Sequence, residues 1–146
     1  MFSNIVVGTD GSETAALAVA VAADLAKTHD AVLHLVNAYK VPAGGVAVVQ
    51  AGAMAVADPL ISSAALKESA EKLLAQAASA VDGVKVEAHA ALGSPADVVI
   101  QVAKAVGADL IVVGSKGMQG ARRMIGSVPN SVAHNAPCHV LVAKTA

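Results

Sequence analysis

The segment 93–114, "GSPADVVIQVAKAVGADLIVVG", decides the fold class. Ser94 is a favoured helix cap, Pro95 fits the first helical position, and Gly107 fits the residue just after a helix. The next run, 110–113, is continuously apolar, which is typical of a strand buried on both faces of a sheet. The segment therefore predicts a helix followed by a buried strand, which is the repeating unit of an α/β fold.

The same alternation continues in both directions along the chain. Short strand-like runs are NIVVGT (4–9), AVLHLVNA (31–38), VKVEAHAAL (84–92), ADLIVVG (108–114) and CHVLVA (138–143). Helices are predicted for 13–27, capped by Ser12, and for 59–80, 95–106 and a short segment after Ser127. This alternation is typical of a parallel sheet with helices on both faces.

The character of each strand predicts its place in the sheet. The first and fourth strands are continuously apolar, as central strands are, whereas residues 84–91 alternate between apolar and polar side chains, which suits an edge strand with one wet face. Right-handed crossovers then favour the strand order 3-2-1-4-5. We predict a single α/β domain over residues 1–146, with a doubly wound, open, parallel five-stranded sheet of Rossmann-like type.

Composition excludes some classes of function. The chain is 55% hydrophobic and 14% charged with a net charge of −1, so no positive field attracts nucleic acid. One Tyr and one Phe provide no stacking platform for single-stranded bases. The single cysteine, Cys138, fits a reducing compartment, and the N-terminus lacks the pattern of a signal peptide. We expect a cytoplasmic protein that does not bind nucleic acid.

Residues 41–57 form an uncharged run at the lower limit of the length that spans a membrane. Proline, glycine and glutamine interrupt it, and most of the rest is alanine and valine. We expect no membrane span, and instead a flexible or lid-like insertion at 42–58.

The fifth strand is predicted to be the other edge of the sheet, yet Val140, Leu141 and Val142 belong to an unbroken apolar run. Exposed apolar edges of this kind are usually covered. We therefore expect a second copy of the chain to pair there in a homodimer.

A glycine-rich stretch, "GSKGMQGARRMIGS" at 114–127, comes after the fourth strand. Open α/β sheets bind ligands beyond the carboxyl ends of the strands at the switch point, where this stretch meets "GTDGS" at 8–12. Its glycines permit close approach of a ligand, its three cations add positive charge, and residues 126–127 open a helix whose N-terminus attracts anions. These features favour a phosphate group, usually delivered by a nucleotide. The alternative is that the stretch is only a tight turn, in which the glycines provide the backbone conformations that the turn requires.

The stretch contains neither a Walker-type loop nor the dinucleotide fingerprint. Together, "VVGTDGS" (6–12), "ALGSPADVVIQVAKAVGADLIVVGSKG" (91–117) and "GSVPNSVAHNAPCHVLV" (126–142) resemble the universal stress protein family over nearly the whole chain. The family signature is glycine, two residues, glycine, nine residues, then glycine and serine or threonine. Here only the eight residues 118–125 separate the second glycine from the third.

The resemblance implies a homodimer that exchanges its final strand and binds ATP. It assigns Asp10 to the ribose and to a phosphate-bound Mg²⁺, and the backbone of Val36 to the adenine. The remaining nucleotide-binding residues that it implies are Gly8, Thr9, Val113, Gly114, Lys116, Gly117, Gly126, Ser127 and Val128.

Several alternatives remain open. Asp10 also suits a helix cap or turn. The five histidines are scattered, and His134, Cys138 and His139 do not have the paired spacing of a structural zinc site. No arrangement of residues indicates a catalytic centre, so slow ATP hydrolysis would be incidental. The function hypotheses are a sensor or store of ATP in stress response, the same pocket binding cyclic AMP or AMP, and a partner-binding module with a vestigial pocket.

Overall fold

A computed structural model describes residues 1–40, 59–115 and 127–145. The strands are β1 (Asn4–Gly8), β2 (Val32–Tyr39), β3 (Val86–Leu92), β4 (Leu110–Gly114) and β5 (His139–Ala143). The helices are α1 (Glu13–His29), α2 (Pro59–Ser79), α3 (Pro95–Val106) and α4 (Val128–Asn135). The insertion predicted at 42–58 lies outside the described residues, as do Lys116, Gly117 and Gly126.

The five strands form one parallel sheet in the order β3-β2-β1-β4-β5, which confirms the predicted order. β1 lies at its centre, where Ile5 is opposite Leu33 of β2 and Leu110 of β4. Ile5, Val6 and Val7 are all 0% exposed, so β1 is buried on both faces. This central position explains the continuous apolar run of the strand.

Helices cover both faces of the sheet, as predicted. Ile5 and Val7 pack into one core with α1 and with Leu74 of α2. Val6 points to the other side and packs into a second core with Val98 of α3 and Val132 of α4. Because side chains alternate along a strand, three consecutive residues of β1 supply both cores.

The helices begin and end at the predicted capping residues, with one difference at the end of α1. The hydroxyls of Ser12, Ser94 and Ser127 each accept a hydrogen bond from the backbone amide three residues later, which caps α1, α3 and α4. Gly107 ends α3 with a left-handed φ of 65°. α1 extends two residues beyond its predicted end because Asp30, with φ 54°, provides the same left-handed stop without a glycine.

The edge strand β3 departs from the predicted alternation. Ala88 is exposed, whereas His89 is half-buried with its Nε2 3.0 Å from Nδ1 of the buried His34. His89 is less exposed than the alternation predicts because His34, on the adjacent strand β2, offers it a hydrogen-bonding partner. Burial lowers the pKa of His34 below its ordinary value, and the neighbouring His89 lowers it further, while Glu87 acts in the opposite direction.

Within the described ranges, no helix has the length and apolar character needed to cross a lipid bilayer.

Candidate functional site

A cavity of about 210 Å³ opens at the carboxyl ends of β1, β2 and β4. This is the switch point, because the chain winds away from β1 in one direction through β2 and in the other through β4. The predicted nucleotide-binding residues that line the cavity are Gly8, Thr9, Asp10, Val36, Val113, Gly114 and Val128. The fold therefore brings together residues that are far apart in the sequence.

Three helices begin at the cavity. Its lining includes Ser12 and Ala15 from the start of α1, Pro95 from the start of α3, and Val128 and Pro129 from the start of α4. The N-terminal end of a helix carries partial positive charge and unpaired amide groups. The surroundings of the cavity therefore favour an anionic ligand.

The turn between β1 and α1 is fixed by its own side chains. Thr9 Oγ1 accepts a hydrogen bond from the Gly11 amide at 3.1 Å, and Asp10 Oδ1 accepts one from the Ser12 amide at 2.9 Å. Gly11 has φ +81°, and a Cβ there would lie 2.9 Å from Leu73 Cδ1. Asp10 is thus an exposed turn residue, while Ser12 is the helix cap. The turn holds the Asp10 carboxylate at the rim of the cavity.

Asn37 joins the ends of β1 and β2, and the sequence prediction did not include it. Its Nδ2 donates to the Thr9 carbonyl at 2.7 Å, and the Thr9 amide donates to the Val36 carbonyl at 2.8 Å. The carbonyl of Val36 therefore already accepts a hydrogen bond from the residue that follows β1. The signal available in the sequence was a single amide side chain near the carboxyl end of an apolar strand, in "LHLVNAY".

Thr145 is a second lining residue that the sequence prediction missed. It is 7% exposed, and its amide donates to Ser115 Oγ at 2.9 Å. A Cβ on Gly114 would lie 2.9 Å from Thr145 Oγ1. Gly114 thus makes room for Thr145 as well as for the cavity. No local pattern indicates this role, because Thr145 comes after the last strand and meets Gly114 only in the fold.

Ser127 is buried and caps α4 through its hydroxyl, which accepts a hydrogen bond from the Asn130 amide at 3.3 Å. It adjoins the cavity-lining Val128 without lining the cavity itself. The predicted phosphate contacts of Lys116, Gly117 and Gly126 fall outside the described residues and stay predictions.

The cavity combines an apolar wall with a few polar groups. Val36, Ala38, Val99 and Val113 form part of the wall. Among the described residues that line it, Asp10 is the only one with an ionisable side chain. This lining suits recognition of a flat ring that carries a polar substituent.

Cys138 is a free, partly buried thiol at the start of the segment that leads into β5. Burial raises the pKa of Cys138 above its ordinary value, and the carboxylate of Asp109 adds to the effect. A raised pKa leaves less of the reactive thiolate at neutral pH.

The predicted dimer residues lie on β5, the outer strand next to β4. Val142 is 42% exposed, while Val140 and Leu141 are half-buried. Within the chain, β5 pairs only with β4 among the described strands.

Comparison with known proteins identifies the family. The model of the universal stress protein family matches residues 1–144. The chain belongs to the universal stress protein family. The universal stress protein YxiE of Bacillus subtilis is 34% identical to it, over 99% of this chain and 100% of the relative. A universal stress protein of Thermus aquaticus is 33% identical over 99% of this chain and its own full length.

Solved universal stress proteins share the fold. One, a universal stress protein in complex with cAMP, has a TM-score of 0.78 and 28% identity, with 99% of both chains covered. Another, from Archaeoglobus fulgidus in complex with dAMP, has a TM-score of 0.62 and 23% identity, covering 97% of this chain and 98% of its own. At that lower identity the likeness shows the fold alone. The resemblance that the sequence motifs indicated is confirmed.

Proposed function

We propose that this universal stress protein binds an adenine nucleotide in the cavity and acts as a sensor or store of that nucleotide in stress response. The observation that carries the proposal is the position of the cavity at the switch point, surrounded by the N-terminal ends of α1, α3 and α4. A nucleotide matches both halves of this environment, because it joins an apolar ring to an anion.

In this proposal the base lies against the apolar wall. Val36, Val99 and Val113 contribute branched side chains to that wall. The Asp10 carboxylate at the rim accepts hydrogen bonds from the ribose hydroxyls. Asn37 acts indirectly, since its amide fixes the position of the Thr9 carbonyl.

The phosphates would lie toward the start of α4, where the family resemblance assigns Lys116, Gly117, Gly126 and Ser127. ATP is the proposed ligand, with Mg²⁺ on its phosphates and Asp10 near the metal. Carboxylate and phosphate oxygens are ligands that Mg²⁺ prefers. Because Asp10 is the one ionisable side chain in the described lining, we propose binding rather than turnover as the function.

Cyclic AMP or AMP is the alternative ligand for the same cavity. The supporting observation is the relative solved in complex with cAMP, which is 28% identical with a TM-score of 0.78. The shortened interval of eight residues, 118–125, in the glycine signature also suits a single phosphate.

We propose further that the protein is a cytoplasmic homodimer that pairs through Val140, Leu141 and Val142. The support is the apolar composition of β5 and its position at the edge of the sheet.

Filling the cavity tests the proposed ligand site. Ala38 is half-buried and lines the cavity, so Ala38→Leu places three additional carbon atoms where the base would lie. We expect calorimetric titration to show at least about a tenfold loss of affinity for ATP and for cyclic AMP, or roughly 1.4 kcal/mol.

Ala105→Leu is the matched control, because Ala105 is an exposed residue of α3 away from the cavity lining. It should leave both affinities unchanged. If the Ala38→Leu protein binds ATP and cyclic AMP as tightly as the wild type does, nucleotide binding in this cavity is contradicted.

A further inference from the structure

Three side chains with metal-binding atoms meet on one face of β2 and β3, away from the nucleotide cavity. His34 is opposite Glu87 in the register of the two strands, and His89 is opposite Val36. Since residues two apart on a strand share a face, Glu87 and His89 point to the same side as His34. The sheet thus assembles a His-Glu-His cluster from positions that no local sequence motif connects.

The distances suit a single ion. His34 Nδ1 lies 3.0 Å from His89 Nε2 and 3.4 Å from Glu87 Oε2, and all three atoms lie within 4.8 Å of one another. Two nitrogen ligands of a tetrahedral Zn²⁺, each at 2.0–2.1 Å, are about 3.3 Å apart. The Glu87 carboxylate oxygen already lies at about this separation from His34 Nδ1, and its side chain is partly exposed.

Asn4 orients the buried ligand. Its Oδ1 lies 3.1 Å from His34 Nε2. A carbonyl oxygen only accepts, so Nε2 of His34 carries the hydrogen and Nδ1 holds the lone pair that faces His89 and Glu87. Metal-binding histidines typically donate their second ring hydrogen in this way, which fixes the tautomer and the ring orientation.

We propose that His34 Nδ1, His89 Nε2 and a Glu87 carboxylate oxygen bind one Zn²⁺ ion, with water as the fourth ligand. Two imidazoles and a carboxylate favour late first-row ions, whereas Mg²⁺ prefers an all-oxygen set. The hydrogen that His89 Nε2 donates to His34 moves to His89 Nδ1 when the ion binds, so both coordinating nitrogens then present lone pairs.

Binding at this place has a structural consequence. The ion would join the edge strand β3 to β2, and Asn4 extends the connection to β1. Because a ligand that binds only the folded chain stabilises it, Zn²⁺ should raise the melting temperature. This effect is independent of the nucleotide site, since none of these residues lines the cavity.

The test uses the tag-free chain of residues 1–146, from which bound metal is removed with a chelator and bound nucleotide is also removed. This protein is then titrated with Zn²⁺ in a calorimeter. We expect one ion per chain for the wild type and no saturable heat with Mg²⁺. Glu87→Ala and His89→Gln should each weaken zinc binding by at least about tenfold. The zinc-dependent rise in melting temperature should be lost in parallel.

His134→Gln is the control, because His134 is an exposed histidine of α4 outside the cluster. It should bind Zn²⁺ as the wild type does. Glu87 is nearly half exposed, so we expect its replacement to preserve the fold. The Glu87→Ala protein therefore tests zinc binding even if the histidine variant is unstable. Failure of the wild type to bind, or unchanged affinity in the Glu87→Ala protein, would overturn the proposal without affecting the proposed nucleotide site.

Discussion

Gly114 and Thr145 show how a single residue contributes to both stability and the site. Gly114 ends β4, and its Cα lies so close to Thr145 that an added Cβ would be 2.9 Å from Oγ1 and 3.2 Å from Cγ2. Contacts this short force a neighbour to move. Both residues line the cavity, so the same movement would alter its wall.

We predict that Gly114→Ala destabilises the protein by about 1–3 kcal/mol, the usual cost of overpacking. Thr145→Ala removes Oγ1 and Cγ2 and leaves Cβ as the nearest Thr145 atom, at 3.6 Å. In that background the same glycine substitution should cost much less. Urea denaturation of the wild type, both single variants and the double variant measures the coupling. An equal cost in both backgrounds would contradict the proposed contact.

At the level of residues, the sequence predicts those cavity residues that lie at the end of a strand. Gly8 and Asp10 are predictable because a short polar turn comes directly after a buried apolar run. Thr145 and His89 are not, because their roles depend on contacts with Gly114 and His34, which are distant in the chain. The role of Asn37 is partly predictable. The sequence shows a polar residue within an apolar strand, but it does not show the hydrogen bond from Asn37 to the Thr9 carbonyl.

At the level of elements, apolar pattern and helix caps predict the fold well. β1 and β4 are continuously apolar because both of their faces are covered. Ser94 and Gly107 mark both ends of α3 because these ends require a side-chain acceptor and a left-handed residue. The burial pattern of β3 was predicted less well. Alternation along the strand does not reveal that His89 is half-buried through its contact with His34 on β2.

The outer strand β5 is the element on which the proposed dimer depends. Val142 is 42% exposed there, so Val142→Arg should preserve the folded chain. In a dimer paired through β5, the substitution places a charge from each protomer in the interface, and we predict a shift from dimer to monomer. Light scattering combined with size-exclusion chromatography measures this shift.

Leu17→Arg is the matched control, since Leu17 is an apolar residue that is 52% exposed and belongs to α1 instead of β5. This variant should remain dimeric. A dimer that persists in the Val142→Arg protein would contradict pairing through β5.

For the whole molecule, the topology explains why a cavity forms where it does. The chain leaves β1 and β4 toward opposite faces of the sheet, so the connections after these strands diverge and leave a space between them. The position of this space is a consequence of strand order and was predictable from the sequence. Its polar lining was only partly predictable, because Asn37 and Thr145 enter it from other parts of the chain.

The most direct test of the proposed function is calorimetric titration of nucleotide-free protein with ATP-Mg²⁺, AMP and cyclic AMP. We predict saturable binding of at least one of these ligands at one molecule per chain, with the tightest one identifying the physiological class. Tightest binding of ATP-Mg²⁺ would support the triphosphate, and tightest binding of AMP or cyclic AMP would support the single-phosphate alternative. Absence of saturable binding for all three would contradict adenine-nucleotide binding by this chain.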